Sequence, residues 1–463
     1  MNSRRHFLRN AGAFAALLGL PASTIANWNT EELLQRISEE KPMTGKPVIG
    51  LRVDPIEKVR TAVIGVGNRG FEHARLVHAL SPDKAELVAI CDIREQKVKE
   101  CADYLVSKGA KNVSIYAGKE DGWKEVCKRD DIDLVLIATP WEDHVPMALY
   151  AMQHGKHVGV EVPAALTVED CWKLVNTAEE TQRNCMMLEN VCYGEEELWL
   201  LNMAESGVFG TLTYAECAYI HDLRELMFSK TYYYNQWRLR HHLVTDGNLY
   251  PTHGLGPVAQ YMGIDRGDRF NHMVSMSSLQ AGLDEHAATV EPDNEFYGKT
   301  GFAHGDMVNT LIKTAKGRSI LVQHDVVTAR PYNRINMLAG TKAFHVGYPS
   351  RMSVKGKGHG YLKEDDYKEY RERYAHPLWA RLQQEAQKQG GHGGMDFVML
   401  WRMMDCFNKG IPLDMDVYDA ASWSVVTPLS ELSIQLGSVP IRFPDFTRGQ
   451  WEKERKLGVM ANP

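Results

Sequence analysis

Two hydrophobic periods alternate along residues 58–185. Short apolar runs of strand length, such as TAVIG (61–65), ELVAICD (86–92) and DLVLIA (133–138), are separated by stretches with helical spacing, such as FEHARLVHAL (71–80). Continuous apolar runs of this length are typical of parallel strands that are buried on both faces. The pattern therefore predicts an α/β domain built on a parallel sheet.

The same alternation continues to the end of this domain and beyond it. We expect helices over 93–109, 122–131, 144–155 and 167–183, the last opened by a capping box at Thr167, and strands over 113–116, 157–160 and from 185. In the second half, TLTYAECAY alternates as a strand through Tyr219, and ILVQHDVV (320–327) is a further strand.

A glycine-rich turn joins the first predicted strand to the first predicted helix. Residues 65–70, GVGNRG, have the spacing G-x-G-x-x-G, formed by Gly65, Gly67 and Gly70. Such glycines let the backbone approach a pyrophosphate at the amino end of a helix. Asp92 ends the next strand, where a carboxylate binds ribose hydroxyls and repels a 2′-phosphate. We therefore predict a site for NAD rather than NADP; the alternative is a strand–turn–helix unit of another α/β protein.

The first 26 residues have the pattern of an export signal. Arg4 and Arg5 precede Phe7 and Leu8, an apolar run covers 11–20, and small residues follow up to Ala26. The apolar run is shorter than the about 20 residues that span a bilayer. We predict export by the twin-arginine route to the periplasm, against the alternative of a basic amphipathic terminus. The predicted units are this signal (1–26), a lead-in (27–57), a nucleotide-binding domain (58–185) and a second domain (186–463).

Composition and charge exclude several classes of function. The formal net charge is −6 and there is no basic patch with interleaved aromatic residues, so we expect no nucleic-acid partner. No further stretch is long and apolar enough to predict a membrane anchor. The eight cysteines form no C-x-x-C pair and are interpreted as small buried apolar residues, although an exported chain can also form disulfides.

Three further segments invite a functional interpretation. His241, His242, His253 and Asp246 fit no zinc spacing, so no metal site is predicted. The tyrosine run 232–234 is interpreted as cover for a sheet rather than as part of a sugar pocket. Residues 353–394, rich in Lys, Glu and Gly, contain an amphipathic helix; the alternatives are a solvated insertion and a contact in a homo-oligomer.

Several motifs together resemble a known family. ATP followed by His, then AMQHGKHVGVEVP and a late DCFNKGIPLDMDVYDAASWSVVTPLSELS, resemble the glucose–fructose oxidoreductase, inositol dehydrogenase and MocA family over residues 59–444. The resemblance implies a Rossmann domain followed by an α/β domain with a large, open, mostly antiparallel sheet. Dehydrogenases of this family have Glu-Lys-Pro where this chain has Glu161-Val162-Pro163, and an aspartate where it has Leu249. Val162 cannot donate a proton, which speaks against plain alcohol dehydrogenation.

At both positions the chain resembles the NAD-dependent α-N-acetylgalactosaminidase branch of this family, glycoside hydrolase family 109. The matching motifs are GNRG, TPWEDH, EVP, ENVCYG, NQWR, YPTHGLGP and ARPYNR, in this order. The resemblance implies cofactor contacts at Asn68, Arg69, Asp92, Trp141, Glu142, Asp143, His144, Glu161, Val162 and Asn190. It implies sugar contacts at Tyr219, Arg238, Tyr250, Pro251, Thr252, His253 and Tyr332.

This branch implies hydrolysis of terminal α-linked N-acetylgalactosamine by transient oxidation at C3, elimination at C1, addition of water and re-reduction. The roles that follow make His253 the acceptor of the C3 hydroxyl proton, Tyr193 the base at C2, and Tyr250 a catalytic contact of the sugar. Two alternatives stay open: an NAD-linked or redox-neutral sugar oxidoreductase, and an NAD-bound sugar-binding protein without activity.

Overall fold

The protein is described by a computed structural model that covers residues 15, 17–21 and 28–462. The arginine pair and the small-residue end of the predicted export signal lie outside these residues. No helix in the described ranges combines the length and the apolar character needed to cross a membrane. The lead-in segment forms helix α1 (Thr30–Ile37), which is capped by Asn29 and buries Leu33 and Ile37.

A six-stranded, fully parallel sheet forms the first half of the molecule. Its strands lie in the order β3-β2-β1-β4-β5-β6. Their bounds are β1 Val59–Ile64, β2 Ala85–Asp92, β3 Ser114–Ala117, β4 Leu134–Ile137, β5 His157–Val160 and β6 Cys185–Met187. The connecting helices are α2 Asn68–Ala79, α3 Glu95–Ser107, α4 Gly122–Cys127, α5 Trp141–Gln153 and α6 Val168–Thr181. The strand order reverses between β1 and β4, which is where such a sheet opens a crevice for its ligand.

Helix α5 begins earlier than its hydrophobic pattern predicts. It starts at Trp141, three residues before His144, because Pro140 provides an extended entry and its carbonyl accepts from the backbone of Asp143. The predicted capping box of α6 is half formed. The Thr167 hydroxyl accepts from the backbone N–H of Asp170 at 3.1 Å, while the Asp170 carboxylate accepts from Lys173.

An eight-stranded sheet dominates the second half, in the order β13-β12-β11-β7-β10-β9-β8-β14. Only its central pair, β7 and β10, is parallel, and the other pairs are antiparallel. The bounds are β7 Leu212–Ile220, β8 Phe270–Ser277, β9 Val308–Thr314, β10 Ser319–Asp325, β11 Met337–Gly340, β12 Ala343–Val346, β13 Arg351–Val354 and β14 Ile441–Arg442. The prediction of a parallel α/β domain followed by a large, mostly antiparallel sheet is confirmed.

Helices cover one face of the second sheet and connect it to the first domain. They are α7 Glu195–Glu205, α8 Arg224–Phe228, α9 Trp237–Val244, α10 Thr252–Tyr261, α11 Gly282–Ala287, α12 Glu364–Arg373, α13 Pro377–Gln389, α14 Met395–Lys409, α15 Val417–Ser424, α16 Val426–Gln435 and α17 Gly458–Ala461. Short 3₁₀ turns occupy Asn190–Tyr193, Tyr234–Gln236, His392–Gly394 and Gln450–Glu452. Helix α14 packs against both the 3₁₀ turn after β6 and strand β1, so it ties the two halves together.

All eight cysteines are free and buried, as the sequence predicts. Burial raises the pKa of Cys91 and Cys101 to about 12, so these thiols stay protonated at neutral pH. They fill the core as small apolar side chains.

Candidate active site

A cavity of about 700 Å³ lies between the carboxyl edge of the parallel sheet and the face of the second domain. The parallel sheet contributes residues that follow β1, β4, β5 and β6, which is the edge where open α/β sheets bind ligands. Strand β7, helix α9 and the start of α10 form the opposite wall. The predicted site residues that line it are Gly67, Asn68, Arg69, Trp141, His144, Glu161, Val162, Asn190, Tyr219, Arg238, Tyr250, His253 and Tyr332.

The glycine turn is as close-packed as its sequence predicts. A Cβ at Gly70 would lie 1.7 Å from the carbonyl oxygen of Gly65, so helix α2 can approach β1 only with glycine at this position. Gly65 has φ +84°, and a Cβ there would meet the backbone of Ala138 at 2.7 Å. The Asn68 side chain donates to the carbonyl of Tyr232 at 3.0 Å, which joins the turn to the second domain.

Asp92 ends β2 in the predicted position, but its carboxylate already has a partner. Arg94 donates to both oxygens through Nε and Nη2, each at 3.0 Å. The same guanidinium lies over the ring of Tyr234 and would be 2.8 Å from a Cβ at Gly67. Asp92, Asp143 and Gly65 line a small adjoining recess rather than the main cavity.

Glu161 is the centre of a buried ionic network. Its Oε1 is 2.6 Å from His73 Nε2 and accepts from Arg69 Nε at 3.1 Å. Burial alone would raise the pKa of Glu161, but the charge of Arg69 and the bond from His73 outweigh it and hold the pKa at about 2. Glu161 is therefore a fixed carboxylate at neutral pH rather than a proton donor.

No local sequence pattern predicts the second acid of this network, Asp396. Its carboxylate accepts from Arg69 at 3.0 and 3.2 Å and from the Asn190 amide at 2.6 Å, and Arg69 together with His392 holds its pKa well below the usual value despite burial. The Asn190 carbonyl oxygen is buried without a partner among the described residues and is free to accept from a ligand. Asp396 comes from α14, more than 300 residues after the glycine turn, and so shares no local motif with it.

Backbone carbonyls fix the residues after β4 and β5. The indole N–H of Trp141 donates to the carbonyl of Val162 at 3.1 Å. The His144 ring lies between the carbonyls of Pro163, at 2.9 Å, and Thr139, at 3.0 Å. Trp141 and His144 are both buried, so they shape the cavity floor beside the glycine turn.

Aromatic rings and one guanidinium form the opposite wall. The Tyr219 and Tyr250 rings are 4.6 Å apart, and the Arg238 guanidinium lies 4.7 Å from the Tyr250 ring centre and 5.5 Å from that of Trp141. Arg238 donates to the Tyr233 hydroxyl at 3.3 Å, but its Nε and Nη2 have no partner among the described residues. A buried cation with two unused donors is suited to bind a carbonyl or hydroxyl of a ligand.

His253 has an acidic partner after all. Its Nδ1 is 2.7 Å from Oε1 of Glu189, whose side chain is fully buried and also accepts from the backbone of Val191. Donation of Nδ1–H to a carboxylate leaves the Nε2 lone pair toward the cavity, which is the tautomer a general base needs. Glu189 replaces the aspartate that is absent at Leu249. The motif ENVCYG contains Glu189, but the resemblance predicts roles only for Asn190 and Tyr193 within it.

The structure contradicts the assignment of Tyr193 as a base. Its side chain is fully buried outside the cavity, and its hydroxyl donates to Asp414 at 3.2 Å. Burial and the Asp414 charge raise the pKa of Tyr193 well above its usual value, which opposes deprotonation. The 3₁₀ turn Asn190–Tyr193 explains the error, because it directs Asn190 to the cavity and Tyr193 to the core.

Three of the implied contacts lie beside the cavity, namely Glu142, Pro251 and Thr252, whereas Tyr332 lines its mouth. The Glu142 carboxylate pairs with His241 at 3.1 Å. Pro251 and Thr252 are buried at the start of α10, where they place His253. Tyr332 is 38% exposed at the cavity mouth, and its hydroxyl accepts from Arg334 at 2.8 Å.

Two interpretations of neighbouring segments are wrong. Tyr232, Tyr233 and Tyr234 all line the cavity instead of covering a sheet, since a turn before α9 carries them across to the glycine turn. The segment 353–394 is not simply a solvated insertion. It contains the two helices α12 and α13, and it ends in Gly391 and His392, which also line the cavity.

The chain matches two family descriptions that together cover most of its length. Residues 193–453 match "Glycosyl hydrolase 109, C-terminal domain", and residues 59–189 match "Oxidoreductase family, NAD-binding Rossmann fold". An α-N-acetylgalactosaminidase of Shewanella oneidensis is 49% identical over 462 residues, 99% of both chains. A glycosyl hydrolase family 109 protein of Shewanella putrefaciens is 48% identical over 464 residues, also 99% of both.

The chain belongs to glycosyl hydrolase family 109. Among solved structures, a levoglucosan dehydrogenase in complex with NADH is similar with a TM-score of 0.62 and 16% identity, over 84% of this chain and 100% of that one. An inositol dehydrogenase homologue of Azotobacter vinelandii, complexed with NADH and myo-inositol, gives 0.57 and 18%, over 87% and 100%. At this identity these two matches establish the fold alone.

The cofactor of this family 109 enzyme is NAD, as predicted, and the cavity fits it. Because Gly65 and Gly70 lack Cβ atoms, the start of α2 packs directly against the end of β1, and Gly67 lines the cavity together with Asn190, whose carbonyl oxygen has no partner among the described residues. The backbone of α2 presents its free N–H groups to an anion at this point. Asp92 with its Arg94 partner lies beyond the turn, at the end of β2.

Proposed function

We propose that this chain hydrolyses terminal α-N-acetylgalactosaminides by oxidising the sugar transiently at C3. The match to a relative named α-N-acetylgalactosaminidase supports the substrate, because the two chains align from end to end. The site supports the route, because it combines an NAD-binding edge with a histidine–carboxylate pair on the facing wall.

The observation that carries the proposal is the state of the carboxylates around the cavity. Most glycosidases need two carboxyl groups, one of them protonated, across the scissile bond. Among the described lining residues the carboxylates are Glu72, which pairs with Arg75, and Glu161, which is fixed by Arg69 and His73. Neither is a free acid that could protonate a leaving group, so the glycosidic bond has to be weakened by other chemistry.

NAD, when bound at the glycine turn, would supply a reversible two-electron oxidation of a sugar hydroxyl. His253 accepts the proton of the C3 hydroxyl through Nε2, and Glu189 stabilises the resulting imidazolium. A ketone at C3 would make the C2 proton acidic. Transfer of that proton to a base would let the C1–O bond break by elimination, and the leaving oxygen would take a proton from water. Water then adds to the unsaturated ketone, and His253 returns its proton when C3 is reduced again.

Side chains of the aromatic wall bind and orient the sugar. Arg238 offers Nε and Nη2, its two donors without a partner, to carbonyl or hydroxyl oxygens of the ligand. Tyr250 and Tyr219 provide flat rings for the apolar face of a pyranose and hydroxyls for its polar edge. Tyr193 lies outside this cavity, so a different group has to act as the base at C2.

A deuterium-exchange experiment tests the proposal. The purified enzyme should cleave 4-nitrophenyl α-N-acetylgalactosaminide without added NAD and without net formation of NADH. Run in D₂O, the released sugar should carry deuterium at C2. Steady accumulation of NADH in proportion to substrate would instead identify a sugar oxidoreductase. Sugar binding without cleavage would identify a binding protein.

Export of the folded, NAD-loaded protein by the twin-arginine route belongs to the same proposal. The support is the sequence around Arg4 and Arg5, together with a reaction that returns NAD to its starting state in each cycle. Fractionation of cells expressing the full chain should place activity in the periplasm. The variant with both arginines replaced by lysine should keep it in the cytoplasm; equal distribution of the two proteins would contradict export by this route.

A further inference from the structure

Three buried histidines from distant parts of the chain meet directly behind the sugar-facing wall. His242 is on helix α9, His304 precedes β9, and His324 is on β10. Each offers a ring nitrogen, and these three nitrogens lie within 4.8 Å of one another. The ring centre of His304 lies 4.6 Å from that of His242 and 5.1 Å from that of His324, and all three residues are completely buried.

The hydrogen bonds of this cluster are incomplete in a particular way. Five of the six ring nitrogens, Nε2 of His242 and both nitrogens of His304 and of His324, have no hydrogen-bond partner among the described residues. Buried polar atoms are nearly always paired, so five unpaired nitrogens in one cluster are unusual, and an ion bound to one nitrogen of each ring would account for three of them. Elsewhere in the core, His144 and His345 have partners on both nitrogens, and His73 and His376 each have one nitrogen without a partner.

His242 is already oriented as a metal-binding histidine. Its Nδ1 is 2.9 Å from the backbone carbonyl of Arg238, so Nδ1 carries the proton and Nε2 presents its lone pair to the cluster. Donation of the second ring N–H to a carbonyl is the usual arrangement around bound metals. The rings of His304 and His324 are completely buried, and burial favours the neutral form of imidazole that binds metals.

Negative charge near the cluster can compensate a cation. The carboxylates of Asp246, Asp306 and Asp325 all act on His304 and oppose the lowering of its pKa by burial. Asp246 and Asp325 are held in place by backbone N–H groups, of Gly305 and Val327 respectively. At the other two histidines the charge of Arg238 adds to burial in lowering the pKa, so the charges around the cluster are mixed.

We propose that His242, His304 and His324 bind one divalent transition-metal ion, with zinc the best fit to three imidazoles. Zinc–nitrogen bonds of about 2.0–2.1 Å in a tetrahedral arrangement put ligand nitrogens roughly 3.3–3.4 Å apart. Ring rotations of about an ångström therefore bring the three nitrogens into register, and a water takes the fourth position. The complete burial of the ligands makes this a structural ion rather than a contact of the substrate.

The ion would brace the sugar-facing wall. His242 is one helical turn after Arg238 on α9 and bonds to its backbone. His324 pairs in register with Tyr219 across the central strands, and their rings stack at 6.4 Å. A metal that joins α9 to β10 therefore fixes the separation of Arg238 and Tyr219, and its loss should weaken sugar binding more than NAD binding.

Metal analysis of the full chain, purified with a tag that contains no histidines, tests the proposal. We expect about one zinc, or another transition metal of the same charge, per chain. His304→Gln and His324→Gln should each lower that content at least tenfold. His345→Gln is the matched control, because it removes an equally buried histidine whose nitrogens bond to protein groups. Equal metal loss in the control would overturn the assignment.

A second measurement on the unmutated enzyme keeps the test independent of folding defects in the variants. After treatment with a chelator, addition of Zn²⁺ should raise the melting temperature by about 4 °C at a thousandfold excess over the dissociation constant. Co²⁺ should give visible absorption bands of a tetrahedral nitrogen site. Metal-free protein that shows neither the shift nor the bands would contradict the proposal. Restored binding of N-acetylgalactosamine by Zn²⁺, with NAD content constant throughout, would support the bracing role.

Discussion

The two walls of the cavity are built in different ways. The cofactor wall is built on close backbone packing at the ends of parallel strands, and its closest contacts are made where Gly65 and Gly70 have no side chain. The sugar wall consists of side chains from strand β7, helix α9 and the start of α10, namely Tyr219, Arg238 and His253. The cofactor wall depends on glycines that lack a side chain, and the sugar wall depends on particular side-chain groups. Substitutions should therefore affect NAD binding and sugar chemistry separately.

The largest effect is expected from Gly70→Ala on the cofactor wall. The new Cβ would lie 1.7 Å from a backbone oxygen, which α2 can relieve only by moving away from β1. We expect loss of bound NAD and with it at least about a 10⁴-fold loss of turnover. Gly360→Ala is the matched control, because a Cβ there meets nothing within 4 Å. The measurement is the NAD content, determined by absorbance after denaturation. A Gly70→Ala enzyme with a full complement of NAD would contradict the assigned role of the glycine turn.

His253→Ala should give the complementary result on the sugar wall. It removes the group that accepts the hydroxyl proton, so turnover should fall about 10³-fold. The cofactor wall is untouched, and NAD content should equal that of the unmutated enzyme. Binding of N-acetylgalactosamine, measured by calorimetry, should persist. If NAD were lost together with activity, the two walls would not be separable at this residue.

Glu189→Gln sharpens the assignment within the sugar wall. Glutamine keeps the shape and can still accept from Nδ1 of His253, but it removes the charge that stabilises the imidazolium. We expect a fall in kcat of about 100-fold with little change in KM, because the substrate does not touch this buried side chain. A change confined to KM would mean that Glu189 only shapes the cavity.

The difference between the walls also explains what could be predicted from the sequence. The glycine turn and Asp92 lie within one strand–turn–helix–strand unit, so local spacing identified them. Glu189 and Asp396 act through partners more than 60 and 300 residues away, His253 and Arg69 respectively, and no local pattern connects such pairs.

The interpretation of single residues failed where a turn decides which way a side chain points. Tyr193 and Asn190 are neighbours in one motif, yet a 3₁₀ turn separates them into core and cavity. A run of tyrosines such as 232–234 is also typical of side chains that pack over a sheet. These three belong to the site because the turn before α9 lies against the glycine turn. The strands, by contrast, were predictable, because their apolar runs reflect burial on both faces.

The buried ionic network around Glu161 should make the protein sensitive to acid. The pKa of Glu161 is about 2 in the folded protein and about 4.3 in an unfolded chain, so its ionised form stabilises the fold above pH 4.3. That contribution is lost as the pH falls toward 2, at most about 3 kcal/mol. Urea unfolding at pH 6, 4 and 3 should show this loss. Glu161→Gln should be less stable at pH 6 and should lose less on acidification; an unchanged slope would place the sensitivity in Asp396.

The smallest effect is expected from Tyr193→Phe. This substitution tests whether the Tyr193 hydroxyl, which lies outside the cavity, takes part in the reaction. The phenol donates to Asp414, but Arg402 continues to hold that carboxylate at 2.9 Å, so no buried charge is left without a partner. We expect a loss of about 1 kcal/mol in the free energy of unfolding and turnover within threefold of the unmutated enzyme. Tyr250→Phe removes a hydroxyl from the cavity itself and should lower kcat/KM about tenfold, the value of one hydrogen bond to a ligand. If Tyr193→Phe were the more damaging of the two to turnover, a rearrangement that brings its hydroxyl to the sugar would be required, since in the folded structure the 3₁₀ turn directs the phenol into the core.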